Sequence, residues 1–190
     1  MIDHRWEDRR YSELYRRGYG PGPVGSLWKW SVDIGVSWQG ADVLDCGCGR
    51  ATLRLKTTDV RHYVGIDVAF FPLMANRRDR SKADTHYLQA CSDRLPFADG
   101  CFSIAWCCDV LEHVPEQAVP QTLHELARVA KMLVLSISTR PSRILDADGA
   151  NLHLTVRPSE WWQSQIMTVA KIANRRIGHD SLFVLARAAK

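Results

Sequence analysis

The sequence has no apolar run long enough to cross a bilayer, and its start, Met1-Ile2-Asp3-His4-Arg5-Trp6-Glu7-Asp8, carries charge where a secretory leader would carry an apolar core. A membrane-spanning helix and a signal peptide are therefore not expected, and a cytoplasmic location is. Internal repeats and low-complexity tracts are also missing, which argues against a repeat array. The six cysteines lack the spacing of a zinc site. Cys46-x-Cys48 and Cys107-Cys108 are not pairs about two to four residues apart with a matching second pair, so no metal is expected. Of the six, with Cys91 and Cys101 the remaining thiols, five lie in or beside apolar runs that read as strands, and the set reads as buried, reduced small hydrophobes. Strong charge of one sign is missing too. The net charge is only +4. Asp3, Glu7, Asp8 and Glu13 dilute the arginine pairs Arg9-Arg10 and Arg16-Arg17, and such mild charge does not by itself indicate a nucleic-acid partner.

The residues that are present fit one globular unit. With 190 residues, 46% of them hydrophobic and 24% charged, the chain can bury a core but not divide into two ordinary domains. Gly18-Tyr19-Gly20-Pro21-Gly22-Pro23-Val24-Gly25 breaks regular structure. It separates a helical piece around Arg5 to Arg17 from the rest of the chain. The expected division is an N-terminal lid and linker, 1–40, and a main domain, 41–190. After Gly40, strands and helices alternate. Val43–Asp45, His62–Asp67, His86–Ala90, Phe102–Cys108 and Met132–Ser138 read as strands. Phe70–Lys82 reads as a helix, and Leu123, Leu126, Ala127 and Ala130 recur at helical spacing. Apolar strands separated by helices mean a parallel sheet covered on both faces, an α/β fold. Two further runs, Ile166–Ile172 and Ser181–Ala186, are expected to form an antiparallel hairpin at one edge.

The chemistry concentrates in Val43-Leu44-Asp45-Cys46-Gly47-Cys48-Gly49-Arg50-Ala51-Thr52, a strand running into a tight glycine turn. Gly47 and Gly49 permit a close backbone approach to a ligand. Asp67 ends the next strand, where a carboxylate can accept from ribose hydroxyls; capping the following helix is the alternative role. The dinucleotide fingerprint needs a third glycine, which Arg50-Ala51-Thr52 does not supply. Asp45 immediately before the turn would repel a pyrophosphate and attract an ammonium and a sulfonium. That difference favours S-adenosylmethionine (SAM) over a nicotinamide dinucleotide.

These residues resemble a known family. Val43–Thr52 is similar to motif I of class I SAM-dependent methyltransferases, and Gly65-Ile66-Asp67 to their acidic second motif. Leu95-Pro96-Phe97-Ala98-Asp99-Gly100-Cys101-Phe102, Asp109-Val110-Leu111-Glu112-His113-Val114 and Leu126-Ala127-Arg128-Val129 resemble later blocks in the same order. The resemblance implies a seven-stranded, mostly parallel sheet with its last strand antiparallel. It also implies that Asp45 and Gly47 meet the methionine end of SAM, that Gly49 belongs to the same cofactor-binding turn, and that Asp67 binds ribose. Ser92 and Asp93 would lie by the adenine, with Asp109 opening the loop beneath the methyl donor. Three positions depart from the family: Cys91 replaces a frequent acid, Ser103 a frequent Asp, and the Pro-Gly-Gly before strand five is missing.

Methyl transfer from a sulfonium is an in-line displacement, so the protein mainly aligns the acceptor and excludes water. A hydroxyl acceptor also needs a proton acceptor. The candidates are His153, in the segment after strand five, and His113, whose motif often uses the histidine structurally. Trp6, Tyr11, Tyr15 and Tyr19 are placed to close over the site or to pack a helix face, and Arg16 or Arg17 to pair with the SAM carboxylate. Ser159 reads as a helix cap, with one of Trp161 and Trp162 in the core and the other near the acceptor. The expected acceptor is a hydroxyl or amine of a small molecule or sugar. The competing readings are a nucleic-acid methyltransferase using Arg77, Arg78, Arg80 and Lys82, and a non-catalytic SAM-binding subunit.

Overall fold

The structure is a computed structural model that describes residues 4–20, 24–78 and 84–189. Five segments after residue 41 carry apolar residues on both faces and form parallel strands: β1 (Asp42–Cys46), β2 (His62–Asp67), β3 (Thr85–Gln89), β4 (Phe102–Cys108) and β5 (Ala130–Ser138). Two more, β6 (Ala170–Ile177) and β7 (Ser181–Ala188), complete one seven-stranded sheet in the order β3-β2-β1-β4-β5-β7-β6. Only the β5–β7 and β6–β7 pairings are antiparallel. The helices are α1 (His4–Arg16), α2 (Val24–Asp33), α3 (Phe70–Arg78), α4 (Val119–Val129) and α5 (Ser159–Met167). No helix among the described residues is long and apolar enough to cross a membrane.

Side-chain alternation along the strands sorts the core into two layers. Val43, Tyr63, Ile104, Trp106, Val134 and Phe183 pack with Leu27 and Trp30 of α2. Leu44, Cys46, Ala105, Leu133 and Leu135 face Leu123 and Leu126 of α4 and Trp162 and Ile166 of α5. The strand order reverses between β1 and β4, which both start from the middle of the sheet and connect outward in opposite directions. At such a switch point the carboxyl ends of the strands open a crevice.

Several expectations need revising. Helix α2 begins at Val24, inside the Gly18–Gly25 segment read as breaking regular structure, and its Leu27 is fully buried. The run from Ile166 is the end of α5 followed by β6, because a short apolar run alone does not separate helix from strand. The α5 cap is Pro158, with Ser159 inside the helix. Trp162 is wholly buried, and Trp161 packs edge-on against it at 4.9 Å and not by the crevice. Cys101 is exposed, unlike Cys46, Cys48 and Cys107. Ala130 begins β5 directly after α4, the short connection that the missing Pro-Gly-Gly implies. The helix read over Phe70–Lys82 runs to Arg78; Arg80 and Lys82 lie outside the described residues.

Leu27→Ala is expected to lower stability by about 2–5 kcal/mol, the usual range for emptying a buried leucine site. The shift of the urea midpoint measures this; a change below about 0.5 kcal/mol, typical of surface sites, would mean that α2 is not part of the core.

Candidate active site

The carboxyl ends of β1, β2 and β4 carry the acids that the sequence singles out. At β1, Asp45 is buried and accepts a short hydrogen bond from the Tyr63 hydroxyl across the strand pair. Burial pushes its carboxyl up to about 7, the Tyr63 bond opposes this, and Asp67 adds to the rise. The chain then turns through Gly47 (φ +72°) and Gly49 (φ +47°). Both sit in left-handed backbone that glycine adopts without penalty. A Cβ at Gly47 would collide with Val110, and one at Gly49 with the Tyr15 hydroxyl. The glycines thus permit close approach by two side chains of this protein, in addition to the ligand approach expected from sequence.

Asp67, at the end of β2, anchors this turn. Its two carboxylate oxygens accept the Gly49 N–H at 2.9 Å and the Ala69 N–H at 2.8 Å. The second bond closes a turn before α3 and is not the helix cap weighed from sequence, because the Phe70 and Phe71 N–H groups that open α3 donate to Asp8 and Ser12 of α1. Asp67 also has a place in the cleft wall. Burial raises the Asp67 carboxyl to about 6 against the pull of both N–H groups. At β4, Asp109 is a non-glycine residue in left-handed backbone (φ 53°). Its carboxylate accepts from the Ser136 hydroxyl at 2.8 Å, and burial pushes it up to about 6. Strained backbone of this kind persists where neighbours over-determine it, often at functional sites.

Two clefts meet here. One is lined by Gly47, Asp67, Ser92, Asp93 and Asp109. The other is bordered by Asp45, Gly47, Gly49, Asp109, His113 and His153. All nine residues selected from sequence therefore line one cleft or the other. Tyr15 and Tyr19 wall both, and Tyr11 walls the first, so this face of α1 covers the crevice. The Trp6 side chain lies outside the described ones.

The two histidines sit against each other, ring centroids 4.8 Å apart. His113 Nδ1 is 2.9 Å from the Leu152 carbonyl and His153 Nδ1 is 2.6 Å from the Arg140 carbonyl. A carbonyl only accepts, so each Nδ1 carries the proton and each Nε2 keeps its lone pair. Burial, with His153 adjacent, lowers His113 to about 3; burial also lowers His153. Both imidazoles are neutral at physiological pH. Arg16 and Arg17 pair with Glu13 on the exposed side of α1 and line neither cleft. The cations at the second cleft are instead Arg50, Arg140 and Arg143. Sequence reading passed over Arg140 and Arg143, although their position just beyond the carboxyl end of β5 was a usable signal.

A family model described as "Methyltransferase domain" matches residues 43–132. The chain is 30% identical over 164 residues to the ubiquinone biosynthesis O-methyltransferase of Pseudomonas aeruginosa, covering 83% of this chain and 68% of that one. This chain is a class I SAM-dependent methyltransferase. Solved structures agree on the fold. Magnesium protoporphyrin IX methyltransferase from Synechocystis, solved with bound S-adenosylhomocysteine (SAH), superposes with a TM-score of 0.70 at 18% identity, covering 93% of this chain and 94% of that one. A Pyrococcus horikoshii protein gives 0.73 at 15% identity, covering 93% and 99%.

The methyltransferase's cleft fits its cofactor. SAM is cationic at its ammonium and sulfonium, and two buried carboxyl groups, Asp45 and Asp67, converge here with the half-buried Asp109. The hydrogen-bond partners of Asp45, Asp67 and Asp109 are hydroxyl and backbone N–H groups. A bound cation would favour their charged forms.

Gly47→Val is expected to cost about 1–2 kcal/mol from the left-handed backbone alone. It should also displace Val110 and weaken SAH binding at least tenfold by calorimetry. Unchanged affinity would place the cofactor elsewhere.

Proposed function

We propose that this methyltransferase transfers the methyl group of SAM to a hydroxyl of a small acceptor, sugars included. The observation that carries this reading is His153. It is a neutral imidazole with a free Nε2, half-buried in the wall of the second cleft, a cleft it shares with Asp109. The Pseudomonas relative is named for O-methylation, which supports a hydroxyl over an amine.

In this reading Asp45, Gly47 and Gly49 hold the methionine end of SAM, Asp67 the ribose, and Ser92 and Asp93 the adenine side. Asp109 lies beneath the methyl group. SAM supplies a methyl group already activated by the sulfonium charge. The protein supplies alignment and exclusion of water. Of residues 1–40, α1 and the turn after it act as the lid, through Tyr11, Tyr15 and Tyr19, while α2 belongs to the core. His113, buried and bonded to Leu152, shapes the donor loop. His153 Nε2 takes the acceptor proton. The nucleic-acid reading has less support. Arg77 donates to the Tyr87 carbonyl and lies by the Phe70 ring, and it lines neither cleft.

An acceptor screen by tritium transfer, across phenols, sugars, amines and oligonucleotides, tests the reading. Methylation of hydroxyl acceptors supports it. Oligonucleotide binding that weakens steeply with salt, together with methyl transfer to the strand, would overturn it. His153→Ala should keep SAH affinity and lose turnover by roughly a hundredfold. Full turnover in that variant would remove His153 from the acceptor side.

SAH binding should also depend on pH. Asp45, raised to about 7, is part-protonated near neutrality in the free protein. An ammonium beside it favours the carboxylate, so binding releases a proton and affinity rises with pH until about 7, by up to about tenfold per unit. Asp67, raised to about 6, acts in the same direction. Calorimetry in buffers of different ionisation enthalpy measures the proton release, which Asp45→Asn should reduce.

A further inference from the structure

Glu112 does not fit a purely structural account. It follows β4 in a short 3-10 turn and is fully buried. One carboxylate oxygen accepts the Ser138 N–H at 2.9 Å. The other, Oε2, is buried with no hydrogen-bond partner. An unsatisfied buried acceptor is costly, and a fold does not keep one without compensation. His113 and His153, whose Nδ1 atoms face backbone carbonyls, stand beside Glu112. One ligand atom from each of Glu112, His113 and His153 lies within 4.8 Å of the other two.

We propose that Glu112, His113 and His153 bind a divalent transition-metal ion at the acceptor side of the cleft. Three features support this. The donor set, two imidazole nitrogens and one carboxylate oxygen, is one that transition cations accept and that leaves positions open to a substrate. Each histidine gives its other ring N–H to a backbone carbonyl, the arrangement that fixes ligating imidazoles elsewhere. The Glu112 oxygen that hydrogen bonding leaves free is the one a cation would satisfy. The expectation of no metal came from cysteine spacing, which does not bear on a site of glutamate and histidine. Four-coordinate bonds of about 2.0–2.1 Å require donors roughly 3.4 Å apart, so binding would draw the three side chains together.

The inference rests on the hydroxyl-acceptor reading and changes what meets that hydroxyl. With the ion bound, His153 is a ligand and not the proton acceptor. The acceptor oxygen binds the open position, where the positive charge lowers its pKa and its proton leaves to solvent. The oxygen lone pair then forms the new C–O bond, the methyl C–S bond breaks, and its electron pair remains on sulfur. The products are the methyl ether, SAH and one proton.

The test uses the full chain with SAH and Co²⁺ or Zn²⁺. Wild type should take up one ion per chain, with visible Co²⁺ absorption typical of nitrogen and oxygen ligands. Glu112→Gln and His153→Ala should each lose at least tenfold in Co²⁺ affinity while still binding SAH. His153 is half-buried on a loop, so its variant serves as the test even where Glu112→Gln does not fold. Equal uptake by wild type and His153→Ala, or thiolate-type Co²⁺ absorption, would assign the ion to the cysteines and overturn the proposal. No uptake by wild type, or full turnover after chelation, would also overturn it and leave O-methylation standing. Uptake as described with no hydroxyl acceptor methylated would leave the metal site and remove the acceptor reading.

Discussion

Four carboxyl groups at the carboxyl ends of three strands, three buried and Asp109 half-buried, constrain the rest of this molecule. Asp45, Asp67, Asp109 and Glu112 are all raised by desolvation. An ionised carboxylate withdrawn from water is costly, so each needs a proton, a donor or a cation. The surrounding structure supplies donors of limited strength: a tyrosine hydroxyl at Asp45, backbone N–H groups at Asp67 and Glu112, a serine hydroxyl at Asp109. The remaining demand is for positive charge, and the methyl donor carries it. Cofactor binding and the stability of the ligand-free cleft are therefore two sides of one electrostatic balance.

The sheet explains why these groups converge. Reversal of the strand order between β1 and β4 leaves an opening at the strand ends that no connection crosses. The glycine turn after β1 is tied to β2 by the Asp67–Gly49 bond, so the floor of the opening is rigid. The walls are assembled from loops and from α1. A stable floor with variable walls is how one fold serves many reactions.

Much of the floor was legible in the sequence because its signals are local. β1, β2, β4 and β5 read as apolar runs because both faces of the sheet are covered there, whereas β3 is an exposed edge strand, and a residue at a strand end is placed once the strand is. The walls were less legible. Helix α2 was obscured because it begins inside a run of glycine and proline, yet Leu27 and Trp30 fall on the sheet. Tyr63 and Asp45 are 18 residues apart and become partners only through the β1–β2 register. The Arg140 carbonyl that orients His153 is 13 positions away, across a loop without regular structure. Such pairings have no periodicity to reveal them. Glu112 could be placed in a motif by sequence, but its unsatisfied oxygen appears only when its surroundings are known.

One contact links the two halves of the wall. Arg10 of α1 donates to Asp146 at 2.8 Å and to the Asn151 carbonyl at 3.0 Å, and both charged side chains are buried. The same helix carries the tyrosines over the cofactor side, and the same loop carries His153 two residues after Asn151. Pulling α1 away alone would strand a buried charge, a loss of about 3–5 kcal/mol. Helix and loop consequently gain by travelling as one body. The ion pair thus fastens the tyrosine-bearing helix to the loop that carries His153 while lining neither cleft itself.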